Sequence, residues 1–264
     1  MIHFVTRQMT GSGFCRCVEI AKYLGCTYGT IYNPIPKGTK LLVVVQRELP
    51  EDIPKDCIVV VDVLDHDTPL IDTADAVIVP SCHARDLIKA RNSNIFVVTN
   101  HHMNNENHVV PYSEDNIGFI GYIGPVKWFK APPSDLSCAI ISANVQSKNE
   151  EDMRSLYSAV DNVDTMWNYR IDRIDVNFKT AAKSKNAMSW GIPSINAPEP
   201  VTVELTPKGC IICDYNEAGD YYKELSINRT LYKEIREEGL REARQFHISV
   251  IADQYRKMFK ELLK

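Results

Sequence analysis

Residues 40–46 read Lys40-Leu41-Leu42-Val43-Val44-Val45-Gln46, and residues 57–63 read Cys57-Ile58-Val59-Val60-Val61-Asp62-Val63. Both runs are rich in β-branched side chains and lack polar alternation. A strand that faces solvent on one side alternates polar with apolar residues, so an unbroken run marks a strand covered on both faces. Ala76-Val77-Ile78-Val79 repeats the pattern, and Ile2–Thr6 and Ile95–Thr99 extend it. Helical spacing separates these runs. Phe14, Val18, Ala21 and Leu24 recur on one helical face before Gly25, and Ser81 is placed to cap a helix reaching Arg91. Strand and helix in alternation predict a parallel α/β sheet.

The polar stretch Asn100-His101-His102-Met103-Asn104-Asn105-Glu106-Asn107 interrupts this series. It reads as an interdomain linker. A second series follows: strands at Ile117–Ile120, Ala139–Ser142, Ile174–Val176, Ile192–Ile195 and Gly209–Cys213, and helices at Asp152–Val160 and near Ala181–Trp190. From Ser226 the chain reads as mostly helical. The expected organisation is two Rossmann-like domains, 1–107 and 108–264.

Bulk properties narrow the function. The chain has 264 residues, a formal net charge of −4 and an ordinary apolar fraction of 44%. An acidic molecule gives no global reason to bind nucleic acid. No run approaches the roughly 20 apolar residues of a membrane span. Arg7 ends the apolar N-terminal run too early for a signal peptide, so a cytoplasmic location is expected. The eight cysteines are then expected to be reduced, and Cys210-x-x-Cys213 lacks the second ligand pair of a zinc site. His101, His102 and His108 also lack metal-ligand spacing. No metal is expected.

The chemistry concentrates at residues 179–193, Lys179-Thr180-Ala181-Ala182-Lys183-Ser184-Lys185-Asn186-Ala187-Met188-Ser189-Trp190-Gly191-Ile192-Pro193. Thr180 is placed to cap a helix that Gly191 stops. Lys183 and Lys185 then sit in its first turns, where cations oppose the helix dipole. A bound anion would reverse that cost, because helix N-termini offer free N–H groups to phosphate. Arg170, Arg173 and Lys179 add positive charge against Asp172 and Asp175. The competing reading is a solvated lysine face. Asp65-His66-Asp67 follows the run 57–63, at the strand end where catalytic groups gather in such sheets. His66 is a candidate base beside Asp65, and a polar turn is the alternative.

Lys183-x-x-Asn186-Ala187-Met188-x-x-Gly191-Ile192-Pro193 resembles the C-domain signature of the GT-B glycosyltransferases, the glycosyl transferases group 1. Gly121-Tyr122-Ile123-Gly124-Pro125-Val126-Lys127 is similar to the strand, glycine and lysine that open the family's second domain. Ala74–Ser81, Val97–Asn100 and the terminal stretch with Ala252 and Tyr255 follow in family order, and Gly11-Ser12-Gly13 stands where the family has a glycine-rich acceptor-side loop. The resemblance implies two domains facing across a cleft and allows the C-terminal helix to cross back to the first domain. It implies metal-independent transfer from a nucleotide-sugar donor to a glycan or other small acceptor. Gly11, Ser12, Gly13, Gly121, Tyr122, Lys127, Lys179, Thr180, Lys183 and Asn186 are then the candidate donor and acceptor contacts, with Asp65 and His66 catalytic. Asn186 and Phe178 replace a pair of family glutamates, and Tyr122 replaces an arginine, so inversion versus retention stays open. A non-catalytic binding module of the same fold is the alternative. A dinucleotide oxidoreductase fits less well, because Arg16 stands at the third glycine position of its fingerprint.

Overall fold

The computed structural model describes the chain except residues 10, 47, 113–118, 125, 134–135, 137, 142–155, 157 and 172–175, and gives only backbone at 12, 126, 140 and 141. The chain forms two units. One comprises Met1–His101, Asp175–Thr180 and Ile248–Lys264, and the other comprises His102–Ile174 and Ala181–His247. The units are therefore interleaved in sequence rather than two contiguous halves. The terminal helix Ile248–Leu262 belongs to the first unit because its apolar face packs there.

The first unit is built on a six-stranded sheet of order β2-β1-β3-β4-β5-β6, in which every pairing is parallel. Its strands are β1 (Ile2–Thr6), β2 (Thr27–Thr30), β3 (Leu41–Val45), β4 (Ile58–Asp62), β5 (Ala76–Val79) and β6 (Ile95–Val97). The pleat sorts the apolar runs. Leu41, Val43 and Val45 join Phe4, Val60 and Ile78 against Ile20, Ile251 and Tyr255. Leu42 and Val44 face the opposite layer with Val5 and Ile31. This two-sided burial is why β3 carries no polar residue. β2, a short edge strand with two threonines and a glycine, has no apolar run to mark it in the sequence.

The second unit carries a five-stranded parallel sheet of order β11-β10-β9-β7-β8. Its strands are β7 (Phe119–Ile123), β8 (Cys138–Ile141), β9 (Val163–Asn168), β10 (Ser194–Asn196) and β11 (Ile211–Ile212). The central strand β9 was not anticipated. Asp164, Thr165 and Asn168 break its apolar run, although Thr165 and Asn168 are buried. Gly209–Cys213 shortens to β11, and the strand expected at Ile192–Ile195 shifts to β10. Ile174 and Asp175 of the expected strand Ile174–Val176 and most of the helix Asp152–Val160 lie outside the described residues, as do Ile117, Asp172 and Arg173, while Val176 is described and belongs to no strand.

The polar stretch 100–107 does carry the first crossing between the units, at His101 and His102, but it is packed rather than loose. Asn100, His101, His102 and Asn104 are buried. The Asn104 amide donates to the carbonyls of His108 (2.7 Å) and Ser189 (2.8 Å), while its oxygen accepts from the His108 N–H (2.8 Å). Polar side chains with all their partners supplied can be packed inside, so polarity alone does not mark a linker. Among the described residues, no helix is long and apolar enough to cross a membrane.

Candidate functional site

At the carboxyl edge of the first sheet, β1 and β3 are neighbours whose connections leave in opposite directions, the switch point where ligands gather in such sheets. A cavity of about 330 Å³ opens there, lined by Arg7, Gln46, Glu48, Leu64, Asp65 and His66 among others. Gln46 (φ 90°) and Asp65 (φ 68°) hold left-handed backbone conformations. These are costly for side chains with a Cβ and tend to cluster at functional sites. Asp65 is pinned from two sides: its N–H donates to the Phe178 carbonyl (3.0 Å), and its carboxylate accepts from Lys179 Nζ (2.9 Å). His66 is exposed. The candidate pair Asp65 and His66 thus lies on a real cavity, and Lys179 belongs with it.

That placement corrects two expectations. Lys179 and Thr180 lie in the first unit, whereas Lys183 lies in the second. Thr180 does not cap the following helix. Its hydroxyl accepts from the Asn100 side chain (3.3 Å), and the N-cap residue is Ala181, in a left-handed conformation (φ 50°) with no side-chain capping bond. The glycine-rich segment is also corrected. Gly11–Gly13 is the first turn of the helix that continues as a π-helical stretch, Phe14–Glu19, and then as Ile20–Leu24. Gly13 is required by close packing, since a Cβ there would lie 2.3 Å from the Gln8 carbonyl oxygen. Gly11 opens the turn at φ 51°, and the Ser12 side chain lies outside the described residues.

Arg16 has its own role. Its guanidinium makes two bonds to Asp62 (2.8 and 2.7 Å) and one to the Val98 carbonyl (2.8 Å), and Tyr255 donates to the same carboxylate (3.0 Å). Both side chains of the ion pair are fully buried. Burial alone lowers the Arg16 pKa, but Asp62 and Tyr255 carry it above its ordinary value.

The second unit gathers a different set. The helix Ala182–Trp190 begins at the carboxyl edge of β9 and β10 and stops at Gly191 in a left-handed C-cap (φ 69°). Lys183 is in its first turn, with Nζ 3.6 Å from the centre of the Tyr122 ring. Gly124 lies against both: a Cβ there would be 3.3 Å from Lys183 Nζ and from the Tyr122 hydroxyl. Burial pushes the Tyr122 phenol up, opposed in part by Arg170. A small cavity of about 10 Å³ adjoins this corner, lined by Asn168, Arg170, Lys183, Ser184, Asn196 and Glu199 among others. Its size admits no more than about one water, so a larger anion would lie across its mouth.

Most of the side chains at this corner carry no motif in the sequence. The Asn196 side-chain oxygen Oδ1 accepts from the Asn168 side-chain amide (2.7 Å) and from the Ser184 hydroxyl (2.7 Å), which fixes the strand ends under the helix. Glu199 Oε2 lies 3.5 Å from Arg170 Nη1, a buried nitrogen that makes no hydrogen bond among the described residues. Asn196 and Glu199 follow the apolar run that ends in β10, and that position was the available signal for them.

Other candidates are placed elsewhere. Lys127 is exposed on the turn Val126–Trp128, with Nζ 5.0 Å from the Trp128 ring centre, and does not line this cavity. Backbone bonds from Lys130 to Tyr169 and from Ile171 to Trp128 (both 3.3 Å) lace that turn to the Arg170 segment. Gly121 is a packing residue: a Cβ would meet Val163 methyl carbons at 2.7 and 2.8 Å across β7 and β9. Asn186 is buried, and its side-chain oxygen accepts from the Met103 N–H (2.8 Å). Lys185 is buried with Nζ 4.6 Å from the Phe246 ring centre, which overturns the solvated lysine face. His108 meets Asp161 at 2.7 Å, and His102 meets the His247 ring at 5.6 Å. Among the described residues, no group of three His, Cys, Asp or Glu side chains forms a metal site.

No protein-family model matches the chain, and no curated protein matches it in sequence. Solved structures do match in fold. A glycosyltransferase from Rickettsia africae ESF-5 superimposes with a TM-score of 0.67 at 11% identity, over 100% of this chain and 98% of that one. Anabaena Alr3699/HepE in complex with UDP and glucose gives 0.67 at 12% identity, over 98% and 99% of the two chains. The lipopolysaccharide outer core galactosyltransferase WaaB in its apo form gives 0.61 at 13% identity, over 98% and 99%. With its two parallel sheets and interleaved chain, the protein has the fold of the GT-B glycosyltransferases.

Proposed function

We propose that the protein is a glycosyltransferase whose second unit binds a nucleotide-sugar donor. The observation that carries this reading is Lys183, a cation in the first turn of the helix Ala182–Trp190, beside Tyr122 and Gly124. A lysine there opposes the helix dipole, and a diphosphate turns that repulsion into attraction. In this reading Lys183 and the helix N–H groups stabilise the charge that develops on the departing diphosphate. They supply the positive field, so the reading assigns no metal ion to the reaction. The C–O bond to the sugar breaks with its electron pair leaving on the nucleoside diphosphate. The acceptor oxygen bonds to the same carbon and loses its proton to a general base, the role for which His66 beside Asp65 is the candidate. Fold neighbours captured with UDP and glucose support the donor class.

A non-catalytic nucleotide-binding module is the second reading. Asn186 favours it, since this amide is occupied in holding the Met103 backbone. Titration with nucleoside diphosphates, followed by assay of nucleotide-sugar consumption, separates the two. Binding with no consumption across a panel of donors and acceptors selects the module, and no binding at all removes both readings.

A further inference from the structure

In sequence, residues 177–180 fall between β9 and β10 of the second sheet, yet they lie in the first unit. Each of the four is tied there. The Asn177 side chain bonds His83 Nε2 (3.1 Å). Phe178 is buried in the apolar core with Val61, Val77, Val79, Ala84 and Ile88. Its carbonyl accepts from the Asp65 N–H (3.0 Å), and Lys179 Nζ reaches the Asp65 carboxylate (2.9 Å). The Thr180 hydroxyl accepts from the Asn100 side chain (3.3 Å). Burial of an aromatic ring outweighs a partly exposed ion pair, so Phe178 is the main anchor. The four residues form a strap that holds Asp65 at φ 68°, next to His66.

The strap ends on a strained residue. Ala181 enters the second unit as the N-cap of the helix Ala182–Trp190, at φ 50°. An alanine stays in this left-handed conformation only where the surrounding structure holds it. Its carbonyl accepts from the Lys185 N–H (3.1 Å), the first hydrogen bond of the helix. If the strap leaves its seat, Ala181 relaxes, that carbonyl turns away and the first turn frays. The first turn carries Lys183 and the N–H groups that suit a phosphate. The seated strap and the formed first turn therefore go together.

We infer that residues 177–180 join the Asp65–His66 turn and the first turn of Ala182–Trp190 into one cooperative element, so that a phosphate-bearing ligand held at Lys183 orders Asp65 and His66. Such a ligand favours the seated state because that state presents the first-turn N–H groups in order, and linkage makes the effect reciprocal. Asn177 and Phe178 act as positioning residues. The choice of ligand rests on the nucleotide-sugar reading, but the cooperativity needs no ligand.

Amide hydrogen exchange of the full chain tests this through two reporters, the Asp65 N–H bonded to Phe178 and the Lys185 N–H bonded to Ala181. Without ligand, Phe178→Ala should speed both amides by a shared factor of about a hundredfold, the scale of a lost core phenylalanine. Asn177→Ala removes one half-buried bond and should speed both by a smaller shared factor; it carries the test if Phe178→Ala does not fold. Two glycines inserted between Thr180 and Ala181 give the connection slack, and Asn177→Ala in that background should speed the Asp65 amide alone. UDP should slow both amides by about fivefold or more, the low end of coupling between linked sites, and Asn177→Ala should weaken UDP binding. Acceleration confined to the Asp65 amide in the uninserted chain, or UDP slowing confined to Lys185, overturns the inference. Paired responses in a chain that binds no UDP would sink the nucleotide-sugar reading and leave the strap standing.

Discussion

Arg16 and Asp62 meet through two charge-assisted bonds, with both side chains sealed from solvent and 46 positions apart in sequence. The pair ties the first helix to the carboxyl end of β4, three residues before Asp65. Arg16→Met alone strands a buried carboxylate and should cost about 3–5 kcal/mol in denaturant unfolding. Adding Asp62→Leu should recover most of the loss. The remainder, roughly 1–3 kcal/mol, reflects the Tyr255 hydroxyl and Val98 carbonyl left without partners. A double variant as unstable as the single would show that shape, not charge pairing, governs this site.

Lys183→Ala should weaken nucleoside-diphosphate binding by about 1–3 kcal/mol, the scale of a charge-assisted bond. The free protein should change little in stability. Loss of the Tyr122 ring contact is unfavourable, removal of a cation from a helix N-terminus is favourable, and each is worth about 1 kcal/mol. Lys127→Ala should have the smaller effect on binding, because Nζ rests over Trp128. Calorimetry with both variants ranks them, and the reverse order would move the diphosphate towards Lys127.

His66→Ala should lower sugar transfer by about two to four orders of magnitude, the usual range for a general base. Its side chain is exposed, so thermal stability should hold. Lys179→Met should also slow transfer, by releasing Asp65 from a position fixed at φ 68°. Turnover in both variants equal to that of the parent would return this turn to a structural role.

Asn104→Ala removes three hydrogen bonds from a buried turn and should destabilise the chain by about 2–4 kcal/mol. Gly121→Ala should cost about 1–3 kcal/mol through its clash with Val163. Urea unfolding measures both. A neutral Asn104→Ala would make the stretch 100–107 the loose connector that its composition suggests.

Alkaline stability follows from buried thiols. Burial raises Cys17 and Cys210 to about 12 in the fold, while unfolded thiols ionise near 9. The folded pKa is the higher one, so the unfolded chain loses protons first. This contribution is present below about pH 9 and is lost as pH rises towards 12. Stability should therefore decline across that window. At neutral pH exposed Cys82 should react first with a thiol reagent, and Cys17 and Cys210 only on unfolding. Rapid labelling of Cys210 in the native protein would contradict its burial.

Local physics made much of this protein readable in its sequence. Apolar runs such as Leu41–Val45 specify two-sided burial, Ser81 caps its helix through a bond to the Ala84 N–H (3.1 Å), and Gly191 supplies the left-handed stop of Ala182–Trp190. These signals need only near neighbours, so they survive without the fold. Polar residues are different, because their meaning depends on partners distant in sequence. Asn104 needs Ser189, Lys179 needs Asp65, and Arg16 needs Asp62. Only tertiary structure decided that the polar break is packed, that Thr180 leaves its helix uncapped to meet Asn100, and that Gly121 serves packing. A buried polar group costs free energy until a specific partner arrives, and the chain folded in space is what brings that partner.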